Sequence, residues 1–421
     1  MLERRKPITV AEAVEKVMMH KLSGEMEWIA IEESDNRFLA QDIVATHDVP
    51  HFDRSPYDGF ALRSIDTEEG STNKPLTFEV IEELGAGMVP TKAVGPFQAV
   101  RIMTGTQMPK ECDAVLMLEL SAESEKNGRK FITFKRSLKK GENVSFQGED
   151  AKMGDVLVHK GTLINPGVKA VLATFGYDSV PVAKKPVIGV FATGSELLDV
   201  SEPLQPGKIR NSNSYMISSQ IQRAGADVIY FGKLVDELET SHNAIKQALE
   251  KVDLLITTGG VSVGDYDLLP DIYKKLGADV LFNKVGMRPG SVTTVAVLEN
   301  KFLFGLSGNP SACYVGFELF VRPIVRTMLF ADRPHLRKVQ AVLGADFPKA
   351  NPFTRFVRTK LFYEQGLLKV VPSGMDKSNI VMSLAGANSL AVLPGGTRGF
   401  GEGDKVKVLL LEDQEGSEWP W

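Results

Sequence analysis

The sequence predicts a multidomain protein of the α/β plus β class, with a doubly wound α/β domain, β-rich segments ahead of it and a β barrel behind it. Three observations carry this. Strand-like runs alternate with helical patterns over residues 185–329, short β-rich runs separated by glycine, proline and charged turns fill residues 75–145, and β pattern returns from His335 onward. At 421 residues the chain also exceeds what one core fills, and its length fits about three domains.

Composition narrows the function classes. With 49 basic and 53 acidic residues, net charge -4, no overall field favours nucleic acid, and positive charge has to come from local pockets. The cysteines, Cys112 and Cys313, lie far apart, which argues against a disulfide framework or a thiolate zinc site. Glu12 and Glu15 interrupt any apolar leader near the N-terminus, and no later run reaches membrane-spanning length. These features predict a soluble, cytoplasmic protein without a membrane or nucleic-acid partner.

Residues 9–22 carry Ala11, Val14, Val17 and Met18 at helical spacing, a core-facing stripe. Residues 27–49 read as strands, and PHFDRSPYDGFALR follows, where Pro50, Pro56 and Gly59 force an irregular path that gathers Asp53, Arg54, Ser55, Tyr57 and Asp58. Asp58-Gly59 is also a common turn pair. The small β-rich insert contains LTFEVIEEL, QAVRIMTG, DAVLML and KFITF, and places Thr104 and Gly105 at a strand end. Gly148, Glu149 and Asp150 form a second acidic loop or solvated turn, followed by strand-like VLVH and a turn at Asn165-Pro166-Gly167.

In the α/β region the expected strands are VIGVFAT, DVIYFGKL, LLITTG, DVLFNKV and FLFGLSG, with helices in SYMISSQIQRAG and HNAIKQALEKV. Such alternation predicts a parallel sheet covered on both faces, whose ligands bind beyond the carboxyl ends of its strands. Those ends carry Glu196 in TGSE, then Asp236, then the glycine loop from Gly259 to Asp267, then Lys284 and Arg288, then Ser307, Asn309 and Ser311. The loop LLITTGGVSVGDYD is the centre of the pattern: Gly259, Gly260 and Gly264 let backbone approach an anion, Ser262 adds a hydroxyl, and Asp265 and Asp267 precede a helix opened by Pro270 and stopped by Gly277. Beyond residue 335 the runs KVQAVLGADF, RFVRTKLFYEQ, LLKVVPS, SLAVLPGG and DKVKVLLLED predict a small barrel or sandwich.

Asp58, Asp150, Glu196, Asp236 and Asp267 are oxygen ligands of the kind Mg2+ takes, and the scattered histidines form no zinc cluster. Lys284, Arg288 and a helix start at Asn309-Pro310 supply positive charge. No P-loop, nucleophile elbow or GxGxxG fingerprint is present. The residues therefore point to metal-assisted chemistry on a phosphorylated or otherwise anionic small molecule.

Taken in order, PHFDRSPYDGFA, RIMTGTQMP, QGED, ATGSEL, TTGGVSVGDYD and GLSGNPSA resemble the molybdopterin molybdenumtransferase family across essentially the whole chain. The resemblance implies a molybdopterin-binding α/β domain from residues 1–26 and 185–329, an elongated β-rich domain from 27–49 and 151–184, a small domain over 50–150 and a C-terminal barrel over 330–421. It implies a homodimer with its cleft between subunits, contact with other molybdenum cofactor proteins, and insertion of molybdate into adenylylated molybdopterin with release of AMP, assisted by Mg2+. On that pattern Asp236, Asp267 and Glu196 serve the metal, Asp58, Asp150 and Thr104 position metal or substrate from the other subunit, and Gly259, Gly260, Ser262 and Gly264 hold phosphate and nucleotide. Lys284, Arg288, Ser307 and Ser311 would receive molybdate, Asn309 would join the substrate-binding set, and Arg358 and Ser378 would reach in from the C-terminal domain. The chain departs from the family's usual K-P-G-K-P with Arg288-Pro289-Gly290-Ser291-Val292, and has Ser307 where GLPGNP has proline. The competing readings are adenylyl transfer to molybdopterin and a non-catalytic scaffold. The intact carboxylates and the added C-terminal β segments weigh against both.

Overall fold

The computed structural model describes residues 6–260, 268–349 and 352–411. The chain divides into two compact units, residues 1–41, 160–165 and 179–421 in one, and residues 42–159 and 166–178 in the other. Residues expected to form the elongated segment are shared between them.

The larger unit is built on a six-stranded sheet. From one edge its strands are Asp227–Leu234, Val187–Thr193, Leu254–Thr258, Lys301–Leu306, Thr294–Leu298 and Asp279–Phe282. The first four are mutually parallel, as the alternation predicted, and every residue of Leu254–Thr258 is buried, in keeping with helices on both faces. A wholly parallel sheet is not what forms. Thr294–Leu298, unforeseen from sequence, makes a hairpin with Lys301–Leu306 and pairs antiparallel with Asp279–Phe282. Four apolar side chains in TVAVL suit a strand, but its closeness to the next run hid it. The N-terminal helix, Val10–Met19, starts at a reciprocal cap: Thr9 Oγ1 accepts the Glu12 amide, and the Glu12 carboxylate accepts the Thr9 amide. Its Ala13 and Val17 are buried in the same core as Val285, Phe304 and Val325.

The same unit ends in a closed five-stranded barrel. Thr354–Glu364 pairs with Leu367–Pro372, which pairs with Lys338–Leu343, then Lys405–Leu410, then Ser389–Leu393, which returns to Thr354–Glu364. Val357, Val370, Ala391 and Val408 fill it. Met287–Arg288 lies parallel to the start of Thr354–Glu364, at Thr354 and Arg355, so the RPGS loop of the α/β region is stitched to the barrel.

The smaller unit has its own six-stranded sheet, in the order Ala114–Met117, Gly59–Leu62, Gln98–Ile102, Leu76–Leu84, Arg129–Phe134 and Ala122–Lys126. Gly59–Leu62 is fully buried at its interior, and a Cβ on Gly59 would fall 2.1 Å from the Leu116 carbonyl oxygen, so only glycine fits there. The turn expected at Asn165-Pro166-Gly167 is a correction: Pro166 opens the helix Pro166–Thr174, where its fixed φ and missing N–H cost nothing.

Candidate active site

Three parallel strands of the larger unit end together. The Gly259 amide donates to the Leu306 carbonyl at 2.8 Å, and its φ of +109° sets the glycine where a Cβ would stand 2.5 Å from Thr193 Oγ1. Gly259 is therefore a close-packing residue, and the expectation that its amide serves a phosphate is corrected. Gly260, with φ +66°, packs against the same hydroxyl and Leu269. Thr193, Asp236 and Gly260, with Ser241 and Leu269, line a small cavity of about 30 Å³. Exposed Asp236 stands two residues beyond its strand, and exposed Glu196 folds its carboxylate back over Gly194. Ser262, Gly264 and Asp267 lie outside the described residues.

A larger cavity, about 550 Å³, opens beside these strand ends, where the α/β region meets the barrel. Arg288, Ser307, Asn309, Arg358 and Ser378, all singled out from sequence, line it, together with Lys349, Arg355 and Asp376, which were not. Ser307 Oγ accepts the Asn309 amide at 3.2 Å and keeps its own proton to donate. Asn213 Nδ2 holds the Gly308 carbonyl at 2.8 Å, fixing the turn between Ser307 and Asn309; its buried Oδ1 has no partner among the described residues. Lys284 does not line this cavity, and its carbonyl receives the Ile8 amide. Ser311 corrects another expectation. Its hydroxyl donates to the Ile380 carbonyl at 2.8 Å and its amide to the Ser378 carbonyl at 3.1 Å, so it clips the loop 378–380 in place.

Arg358 is buried, and most of its donors are engaged. Nη1 donates to Asp376 Oδ1 at 2.8 Å, Nη2 to the Lys377 and Met375 carbonyls at 3.0 and 3.4 Å, and Nε to Ser383 Oγ at 3.3 Å. Burial lowers the proton affinity of its guanidinium from the ordinary value, and the Asp376 carboxylate opposes that. Arg355 Nη2 takes the other Asp376 oxygen. A bridge between a residue of one strand and a loop 18 and 21 positions away leaves no sequence signal beyond the paired arginines of RFVR.

In the smaller unit three loops are zipped by backbone bonds: Arg54 to Ser145, Gly105 to Ser55, Met108 to Asp53. Pairing of Gly59 with Ile102 brings Asp58 to Thr104, whose amide and hydroxyl donate to Asp58 Oδ1 at 2.7 and 2.9 Å. The Thr104 amide, then its hydroxyl, hold the Asp58 carboxyl below the usual range, with a further pull from Arg101. Asp150 is exposed, with its amide on the Val49 carbonyl. Its neighbour Glu149 closes its own turn, accepting from Ser145 Oγ and the Phe146 amide.

Among the described residues no group of three or more His, Cys, Asp or Glu side chains converges as a cation cage. The donor set still fits Mg2+ of the phosphate-carried kind, which takes one or two carboxylates plus phosphate and water: Asp236 and Glu196 are exposed oxygen donors at strand ends. No described helix is long and apolar enough to cross a membrane.

Comparison with known proteins matches the chain along its length. Residues 8–176 match the model of the MoeA N-terminal region (domain I and II), 189–327 a probable molybdopterin binding domain, and 340–411 the MoeA C-terminal region (domain IV). A molybdopterin molybdenumtransferase of Bacillus subtilis (strain 168) is 60% identical over 421 residues, 100% of this chain and 98% of that protein. One from Staphylococcus aureus (strain COL) is 50% identical over 417 residues, 99% of each. The crystal structure of a molybdopterin biosynthesis moeA protein from Pyrococcus horikoshii OT3 superposes with TM-score 0.82 at 30% identity, covering 96% of this chain and 100% of that one.

Proposed function

This chain belongs to the molybdopterin molybdenumtransferase family, enzymes of molybdenum cofactor biosynthesis, and from that premise we propose how its residues divide the reaction. The substrates are adenylylated molybdopterin and molybdate, and the products molybdenum cofactor and AMP. The cationic cavity carries this reading: Arg288, Lys349, Arg355 and Arg358 outnumber Asp376 around a space of about 550 Å³ beside three strand ends. It suits a tetrahedral dianion, with the Ser307 hydroxyl as a donor and Arg288 as a bidentate one. The strand-end ledge of Thr193, Asp236, Glu196 and Gly260 suits the diphosphate.

Bringing a dithiolene, a diphosphate and an oxyanion together is opposed by their charge, roughly 4 kcal/mol per pair of unit charges about 4 Å apart at an effective dielectric near 20. Bound Mg2+, held by Asp236 and Glu196 with Asp267, would neutralise charge on the diphosphate oxygens. The protein's own part is to fix geometry: Gly259 closes the strand ends, Asn213 holds the Gly308 carbonyl, and Ser311 clips the barrel loop that carries Ser378. Asp58, fixed by Thr104, and Asp150 would supply positioning carboxylates from the second subunit of a homodimer, in the cytoplasm.

The test is single-turnover AMP release from adenylylated molybdopterin with Mg2+, with and without molybdate. Molybdate should trigger AMP release, Asp58→Asn should slow it about a hundredfold with the dimer intact, and Arg288→Gln should raise the molybdate concentration required. Nucleotide binding with no AMP release at any molybdate concentration would leave the scaffold reading standing instead.

A further inference from the structure

We propose that Asp376 sets how tightly and how selectively the cavity holds a doubly charged tetrahedral oxyanion, acting as a built-in counter-anion to Arg355 and Arg358. This rests on reading the cavity as the molybdate site. Both carboxylate oxygens are committed, Oδ1 to Arg358 Nη1 at 2.8 Å and Oδ2 to Arg355 Nη2, so one negative charge is shared by two guanidinium groups. All three residues line the cavity. The arginine pair therefore presents one net positive charge to an incoming anion instead of two.

The charge is separable from the anchoring of its loop. The Arg358 guanidinium also donates to the Met375 and Lys377 carbonyls, and the Ser378 carbonyl receives the Ser311 amide, so hydrogen bonds to main-chain carbonyls hold residues 375–378 on either side of Asp376. A carboxylate not needed to close the loop is left with an electrostatic role. Its effect on a ligand follows from sign. Two unopposed guanidinium groups would grip any dianion through charge alone, whatever its size, and release it slowly. With Asp376 in place, more of the affinity has to come from fitted donors such as Ser307 and Arg288, which distinguish one tetrahedral oxyanion from another by reach. A transfer enzyme that must hand its oxyanion on gains from that balance.

The experiment is calorimetric titration of the full chain with molybdate and with sulfate at fixed ionic strength, alongside thermal melting. Asp376→Asn should tighten molybdate about tenfold and sulfate more than that, narrowing the difference between them, and Asp376→Glu should stay near the unaltered protein. Arg355→Gln should weaken both anions, and the double variant Arg355→Gln with Asp376→Asn should recover the original affinity, a rescue that a merely structural role for Asp376 would not produce. If Asp376→Asn leaves both affinities unchanged or weaker at an unaltered melting temperature, or if the double variant fails to recover, the counter-anion role is wrong. Molybdate binding that Arg288→Gln does not weaken would place the anion elsewhere and remove the underlying reading as well.

Discussion

Asp58 and Arg358 are each central to a candidate site, and the protein handles their charges in opposite ways. Asp58 is exposed and held by neutral donors, the Thr104 amide and hydroxyl, so its geometry is fixed while its full negative charge stays available. Arg358 is buried, and its charge is shared with Asp376 while two carbonyls and the Ser383 hydroxyl accept from its other nitrogens. The difference follows from solvent. An exposed carboxylate is stabilised by water as well as by its partners, whereas a buried guanidinium without a counter-charge is costly. Charge at the Asp58 loops is thus offered to a ligand directly, and charge in the cavity is offered only as the surplus over an internal pair.

Removing the buried member should have the largest effect on stability. Arg358→Met would leave the Asp376 carboxylate with Arg355 alone and strip donors from the Met375 and Lys377 carbonyls, at a cost of about 4 kcal/mol. Hydrogen exchange on the full chain should show the loss in the barrel strands and not in the sheet around Gly59–Leu62. Equal loss in both sheets would break the comparison, because it would mean that the charges are not managed locally.

Two glycines sharpen it at the level of backbone. Gly259 and Gly105 both have positive φ, +109° and +84°, but a Cβ at Gly259 meets Thr193 Oγ1 at 2.5 Å and one at Gly105 meets nothing among the described residues within 4 Å. Gly259→Ala should cost about 2 kcal/mol in urea unfolding and Gly105→Ala about 1 kcal/mol, the excess being steric. Similar costs at the two positions would assign both to φ alone.

The fold was legible wherever the hydrophobic period ran long enough. The parallel strands Val187–Thr193, Leu254–Thr258 and Lys301–Leu306 stand out as apolar runs, and the barrel strands as β-branched ones. Gly59–Leu62 and Thr294–Leu298 did not, one because it opens on the glycine of a turn-like Asp58-Gly59, the other because it abuts its hairpin partner. For the site, strand-end logic picked out Arg288, Ser307 and Asn309, the family resemblance added Arg358 and Ser378, and the structure gathers all five around one cavity. What sequence could not give is commitment. That the Ser311 hydroxyl and the Gly259 amide are already engaged, or that Asp376 joins two arginines, depends on contacts between segments distant in the chain.

The smallest expected effect tests the other side of the comparison, that Asp58 keeps its charge. Its folded carboxyl is held below the ordinary value by the Thr104 amide first, the Thr104 hydroxyl second and the charge of Arg101 beyond them. A depressed folded value gives a contribution to stability that is fully present above the unfolded value, about 3.9, and is lost as pH falls through the folded one. Thr104→Val removes the hydroxyl and leaves the amide. Followed by the carboxyl carbon resonance, Asp58 should titrate below the ordinary carboxyl value in the unaltered protein and move part of the way back toward it in Thr104→Val. A midpoint at or above the ordinary value in the unaltered protein would mean that neutral donors do not hold the charge. Near neutral pH the carboxylate is ionised in both proteins, so any slowing of AMP release by Thr104→Val there reports lost aim of the carboxylate and not lost charge.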